Sequence, residues 1–316
     1  MPNSTRVLVV GAAGSGHREA AAEIAESLGA WLLNLDPADQ DPLPPCAVTL
    51  RRPDGALDAT YFVGSLSLIH DPLASQNAAW CAVERVGGEP LVAAMPIQAV
   101  TPVSVHTLRM ITLALRPSRY VRVGEIAVEH ILAAQEVEEH SASQDRLGAR
   151  AERPKRKAWW TEYLARCSDH EVPLSEVRVR GARLGAGLRL SPSDVADIRR
   201  IGVEGAVYAE VCGSTLFILT DEAHGGDHAL EAADTFGCQT AHLTAATSLR
   251  GLVVAAENAA GRVFAVGRLR EFDSARLTFH VSAPVEPPMP IETLLLGRIR
   301  IGEDGDELGV LKPWQV

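Results

Sequence analysis

The chain has 316 residues, 47% of them hydrophobic and 22% charged, a globular balance with room for two domains that each bury a core. No apolar run approaches the roughly 18 residues of a membrane helix, and the N-terminus lacks the basic, apolar and small-residue succession of a secretory signal. A cytoplasmic protein with no membrane partner is therefore expected. Forty acidic against 30 basic residues give a net charge of −10, which argues against a protein coated in nucleic acid but leaves room for a local basic patch. The five cysteines, Cys46, Cys81, Cys167, Cys212 and Cys238, are never closely paired, a pattern of buried reduced thiols rather than of disulfides or a cysteine zinc site.

Residues 6–10 read RVLVV and end at Gly11, after which alanines recur with helical spacing over 19–28: a strand, a glycine turn and a helix. Further apolar runs at 30–35, 59–64, 91–94 and 119–123 predict strands, and 106–115 predicts a helix. Apolar strands alternating with helices imply a parallel sheet covered on both faces. Residues 126–166 are polar and helix-favouring. There the acidic Glu136, Glu138 and Glu139 read as a solvated helix face and precede a basic stretch holding Arg146, Arg150, Arg153, Lys155, Arg156, Lys157 and Arg166. After Val172 the period shortens to two, with strands predicted at 176–180, 206–211, 215–220, 251–256, 262–270 and 276–281 and one helix near 193–200.

The first turn carries Gly11-Ala12-Ala13-Gly14-Ser15-Gly16-His17-Arg18. The spacing from Gly11 to Gly16 is that of a P-loop, between a strand and a helix as such a loop requires, and its backbone N–H groups can cradle phosphates whatever the side chains are. Yet His17 stands in the lysine position and Arg18 in the serine/threonine position. Neutral imidazole is a poor substitute for an ammonium on the β/γ-phosphates, and a guanidinium has no acceptor for Mg²⁺. A turn that only lets helix and strand pack closely is the competing reading, and the motif leaves both open.

Residues 34–48, NLDPADQDPLPPCAV, resemble the segment after the second strand in P-loop polynucleotide 5'-hydroxyl kinases, the family of the mRNA cleavage-factor, pre-rRNA and tRNA-splicing RNA kinases. Residues 249–269 and 294–311 are similar to that family's C-terminal region. The resemblance implies a P-loop-type parallel sheet with helices on both faces over 1–145, a basic lid over 146–172 and a smaller β-rich domain over 173–316. It implies cofactor contacts at Gly11, Gly14, Ser15, Gly16, His17 and Arg18, with ATP and Mg²⁺ as cofactors if the protein is active. Asp36 falls where the family has its catalytic aspartate, and Arg150, Arg153 and Arg156, followed by Trp159, Trp160 and Tyr163, resemble the lid helix whose arginines reach the transferring phosphate. Asp39 stands where the family has glutamine, and its Thr-x-Gly loop is replaced by Met95-Pro96-Ile97-Gln98.

Positioned electrostatic groups of this kind contribute on the order of 10²–10³-fold in rate each, so their joint replacement predicts a degenerate member of the family that binds nucleotide, RNA or another single-stranded 5' end, or a protein complex. The alternative is an active kinase of RNA or DNA 5'-hydroxyl ends. Elsewhere, His224, Asp227 and His228 resemble metal ligands only in type, and a solvated loop is the favoured reading. His70 and Asp71 are read as loop residues, and packing is the favoured role of Trp160 or Tyr163.

Overall fold

The computed structural model describes residues 5–39, 45–97, 101–126, 137–140, 149–222, 226–284 and 291–311, apart from the side chains of 149–152. It divides into two compact units, Met1–Ala158 and Trp159–Val316. The first contains β1 (Arg6–Gly11), α1 (His17–Leu28), β2 (Trp31–Asn34), β3 (Ala47–Arg51), β4 (Leu57–Phe62), α2 (Pro72–Val86), β5 (Leu91–Pro96), α3 (Pro102–Leu115), β6 (Arg119–Val123) and β7 (Val137–His140). A further helix, α4 (Ala149–Leu164), crosses the boundary.

The strand order is β4-β3-β2-β5-β1-β6-β7, with β1 held in parallel register between β5 and β6. This central position explains the unbroken apolar run of β1. Its alternate residues serve opposite faces, Val7 and Val9 packing with Ala20, Ala21 and Ala25 of α1, and Leu8 and Val10 with the core beneath α2 and α3. Small alanines let α1 approach the sheet closely. Because the helices after β1 and β5 lie on opposite faces, a crevice opens beyond the C-terminal ends of these adjacent strands, where doubly wound sheets bind ligands.

Two expectations for this unit need correction. Residues 59–64 do not begin a new parallel element: β4 is the second arm of an antiparallel hairpin with β3, turned at Arg52–Gly55, where Gly55 takes φ +80°. Glu138 and Glu139 lie on the edge strand β7, not on a helix, and pair with Arg119 and Arg122 of β6; Glu136 lies outside the described residues. These cross-strand ion pairs settle a segment whose glutamates alone favour helix.

The second unit contains β8 (Ser168–Pro173), β9 (Arg178–Arg180), β10 (Leu188–Arg189), α5 (Pro192–Ile201), β11 (Ala206–Cys212), β12 (Thr215–Thr220), α6 (Ala229–Thr235), β13 (Thr240–Ala245) and β14 (Leu252–Glu257). It continues with β15 (Val263–Asp273), β16 (Thr278–Ala283), β17 (Thr293–Ile301) and β18 (Glu307–Val310). A four-stranded sheet, β10-β11-β12-β13, carries α5 and α6 on one face, where Val195, Ile198, Leu216, Ile218 and Ala232 pack together. Its other face sends Tyr208, Phe217 and Leu219 into the core of an antiparallel sheet ordered β18-β17-β14-β15-β16-β8, with β9 paired to β17. The single helix expected here is thus joined by a second, α6, which carries the chain from β12 to its parallel neighbour β13. Cys46 and Cys238 are buried, but Cys212 is exposed, contrary to the reading of all five thiols as buried. Among the described residues no helix is long and apolar enough to cross a membrane.

Candidate functional site

The glycine loop leaves the C-terminal end of β1 and enters α1 at His17. Its three glycines are required for two physical reasons. Gly14 and Gly16 take φ +74° and +83°, the left-handed region that favours glycine. At Gly11 the loop folds back so closely that a Cβ would lie 2.2 Å from Ser15 Oγ and 2.7 Å from His17 Cβ. The Ser15 N–H donates to the Ala12 carbonyl at 3.0 Å and the Ile97 N–H, just past β5, donates to the Gly11 carbonyl at 2.8 Å, fixing the loop to the crevice. Gly16 supplies no side-chain cap to α1, so no side chain of the capping residue covers the first-turn N–H groups.

His17 is 1% exposed, with Nδ1 3.3 Å from Ser15 Oγ, and its Nε2 is buried without a partner among the described residues. Burial holds the imidazole below its ordinary pKa, a lowering that Asp36 opposes and Arg18 reinforces. The residue in the lysine position is therefore neutral at pH 7. Arg18 turns away from the role of a loop cation: its guanidinium donates to the carboxylate of Asp39, whose other oxygen accepts from the Asn34 amide at 2.5 Å. Asp36, which follows β2, is 8% exposed and accepts the Ala38 N–H at 3.0 Å, while its own N–H donates to Asn34 Oδ1 at 3.0 Å.

The structure thus brings Gly11, Gly14, Ser15, Gly16, His17, Arg18 and Asp36 to one sheet edge. Backbone donors at a helix N-terminus, with the buried Nε2 of His17 beside them, suit a phosphate group. They do not suit Mg²⁺ at the position of Arg18, which offers no acceptor and already holds a carboxylate. Asp39 escaped the sequence reading as the partner of Arg18, since a contact 21 residues apart leaves no periodic signal.

The basic segment is helical over Ala149–Leu164. Arg153 is exposed and Arg156 half-buried on α4, whereas the side chain of Arg150 lies outside the described residues, as do Gln98 and Arg146. Trp160 is fully buried, Trp159 stacks on Tyr163 with ring centroids 4.8 Å apart, and Tyr163 donates to the Val266 carbonyl at 2.6 Å. Trp160 and Tyr163 are therefore packing residues. His228 pairs with Glu231 at 3.2 Å and lies against Gly202, where a Cβ would come within 2.6 Å of its ring; His224 is outside the described residues. Asp71 caps α2 by accepting the Ala74 N–H at 3.0 Å, and His70 stands beside it in the preceding loop.

No protein-family model matches the chain, and no curated protein matches it. Among solved structures it is similar to Clp1p in its complex with a fragment of Pcf11p, with a TM-score of 0.56 and 12% identity over 94% of this chain and 74% of that one. A second structure of Clp1p with Pcf11p, which addresses ATP loss in a glycine-to-arginine point mutant, gives a TM-score of 0.56 and 11% identity over 94% and 75%. The chain and Clp1p share a fold.

Proposed function

We propose that the chain is an RNA-processing protein of the polynucleotide 5'-hydroxyl kinase family whose loop has lost phosphoryl transfer and now serves nucleotide or RNA binding within a protein complex. The fold shared with Clp1p supports the family and the complex, because the Clp1p structures are complexes with Pcf11p. The observation that carries the degeneracy is the state of two adjacent residues: His17 is buried and neutral, and Arg18 is engaged by Asp39. Phosphoryl transfer needs positive charge on the β/γ-phosphates and a positioned metal. Neither side chain is free to supply one.

What remains is an anion cradle of backbone N–H groups, with Asp36 beside it. Asp36 and the retained glycine turn favour a second reading, an ATP-dependent kinase of 5'-hydroxyl ends with Asp36 as the base. Incubation with γ-labelled ATP and a 5'-hydroxyl oligonucleotide separates the two. We expect nucleotide or oligonucleotide binding without label transfer. Transfer at a rate that scales with enzyme and vanishes in Asp36→Asn would establish the kinase.

A further inference from the structure

α2 and α3 lie side by side on one face of the first unit's sheet, and several large apolar side chains stand on their outward sides. Leu73 is 79% exposed, Trp80 52%, Met110 38% and Leu113 65%. With Ala114 and the polar Gln76 and Asn77 of α2, these residues line a single groove of about 390 Å³. An adjoining depression shares Trp80 and Ala114 and is bordered by Glu84 of α2, by Arg116, which ends α3, and by Arg6, whose guanidinium donates to the Leu115 and Gly87 carbonyls. Scattered exposed leucines are ordinary on soluble proteins, but a contiguous apolar groove with a polar border marks an interaction surface. Neither Glu84 nor Arg116 has an ion-pair partner among the described residues.

We propose that through this face two copies of the chain associate about a two-fold axis. An isologous contact uses the same patch on both copies, so the patch must complement itself. This one does. It carries an acid on one helix and a base at the end of the other, and laying α2 of one copy on α3 of the second sets each Glu84 beside the opposite Arg116. A foreign partner of one charge sign would be attracted by one of these groups and repelled by the other. Trp80 lies between the two depressions, where a broad half-exposed ring acts as a central anchor. Two helix pairs in contact bury on the order of 1,200 Å², the lower end for specific association.

Sedimentation equilibrium of the full chain from about 1 to 100 µM tests the proposal. The expected mass rises with concentration from 33.8 kDa toward twice that value. Leu113→Glu places a carboxylate in the contact without entering the core and should raise the dissociation constant about tenfold or more; Leu73→Lys should act likewise. Glu84→Arg sets like charges together and should weaken the dimer about fivefold, and adding Arg116→Glu should restore it to within about twofold of wild type. A chain that stays monomeric throughout this range, a dimer indifferent to Leu113→Glu and Leu73→Lys, or a charge swap that fails to restore association overturns the proposal.

Discussion

The guanidinium of Arg18 holds the carboxylate of Asp39, and Asn34 clamps the second oxygen of the same carboxylate. The pair ties the first turn of α1 to the segment after β2, occupying the helix position from which the resemblance expects a hydroxyl to hold Mg²⁺. Replacing His17 by lysine and Arg18 by threonine therefore removes the ion pair and restores both missing groups at once. We expect His17→Lys/Arg18→Thr to bind ATP at least about tenfold more tightly in Mg²⁺ than in EDTA, while wild type shows less than about a twofold difference. Calorimetry in the two buffers reads this directly; a strong Mg²⁺ dependence in wild type would mean that Arg18 leaves Asp39 when nucleotide binds.

His17 gives a pH signature whose sign is fixed by burial. Its pKa in the folded chain lies below the ordinary 6.5, so between that depressed value and about 6.5 the unfolded chain binds more protons. The stability associated with neutral His17 is present above pH 6.5 and is lost as pH falls through this window. His70 and His242 are also lowered by burial and add to the same slope. The test is thus a difference: urea midpoints of wild type and His17→Gln should converge as pH falls from 7 to 5. Parallel curves would show that His17 is as protonated when folded as when unfolded. Bound phosphate should oppose the loss, because an anion beside the imidazole favours its charged form.

The parts of the fold most legible in the sequence are those where one local pattern meets one environment. β1 is buried on both faces and reads as a continuous apolar run; Gly14 and Gly16 have conformations that glycine favours. α2 was missed because Leu73 and Trp80 point outward and blur its amphipathic pattern, and α6 because a helix of seven residues is too short to show a period. β7 was misread because glutamate favours helix, and only Arg119 and Arg122 on the neighbouring strand make VEEH an edge strand. The glycine loop itself was legible, but the engagement of Arg18 was not. Which carboxylate a surface arginine finds depends on how β2 and α1 are brought together, and no local pattern records that.

Gly11 tests the closeness of the loop to the strand end. A methyl at this position would collide with Ser15 Oγ, which must rotate away from its contact with His17, and with the Cβ of His17, which cannot move without opening the turn. Gly11→Ala should destabilise the first unit by about 1–3 kcal/mol, as overpacking does elsewhere. Removing the nearer obstacle should recover part of this, so Gly11→Ala/Ser15→Gly is expected to melt above Gly11→Ala alone. A double variant no more stable than the single one would place the strain at His17.

In the second unit the buried group with most to lose is Glu210 on β11, which is 1% exposed. Its carboxylate accepts N–H donors from Gly185, at 2.9 and 3.1 Å to its two oxygens, and from Gly187 at 2.9 Å, and it also accepts the hydroxyl of Tyr208. Burial, and then this hydrogen bond, push the Tyr208 phenol well above its ordinary range, so it stays a donor at any physiological pH. The glycines could not be replaced to compensate: Gly185 takes φ +83°, and a Cβ on Gly187 would lie 2.7 Å from the Val211 carbonyl. The carboxylate therefore anchors the loop before β10 through Gly185 and Gly187, alongside the buried Leu184. Glu210→Gln puts a donor where an acceptor is needed and should cost about 1–3 kcal/mol, and Glu210→Ala, which leaves every donor unpaired, about 3–5 kcal/mol. The second unit's transition in a urea titration measures the loss, and amide exchange at Gly185 and Gly187 locates it. Were Glu210→Ala to cost less than about 1 kcal/mol with exchange at those amides unchanged, water would be satisfying the donors and the anchor would lie elsewhere.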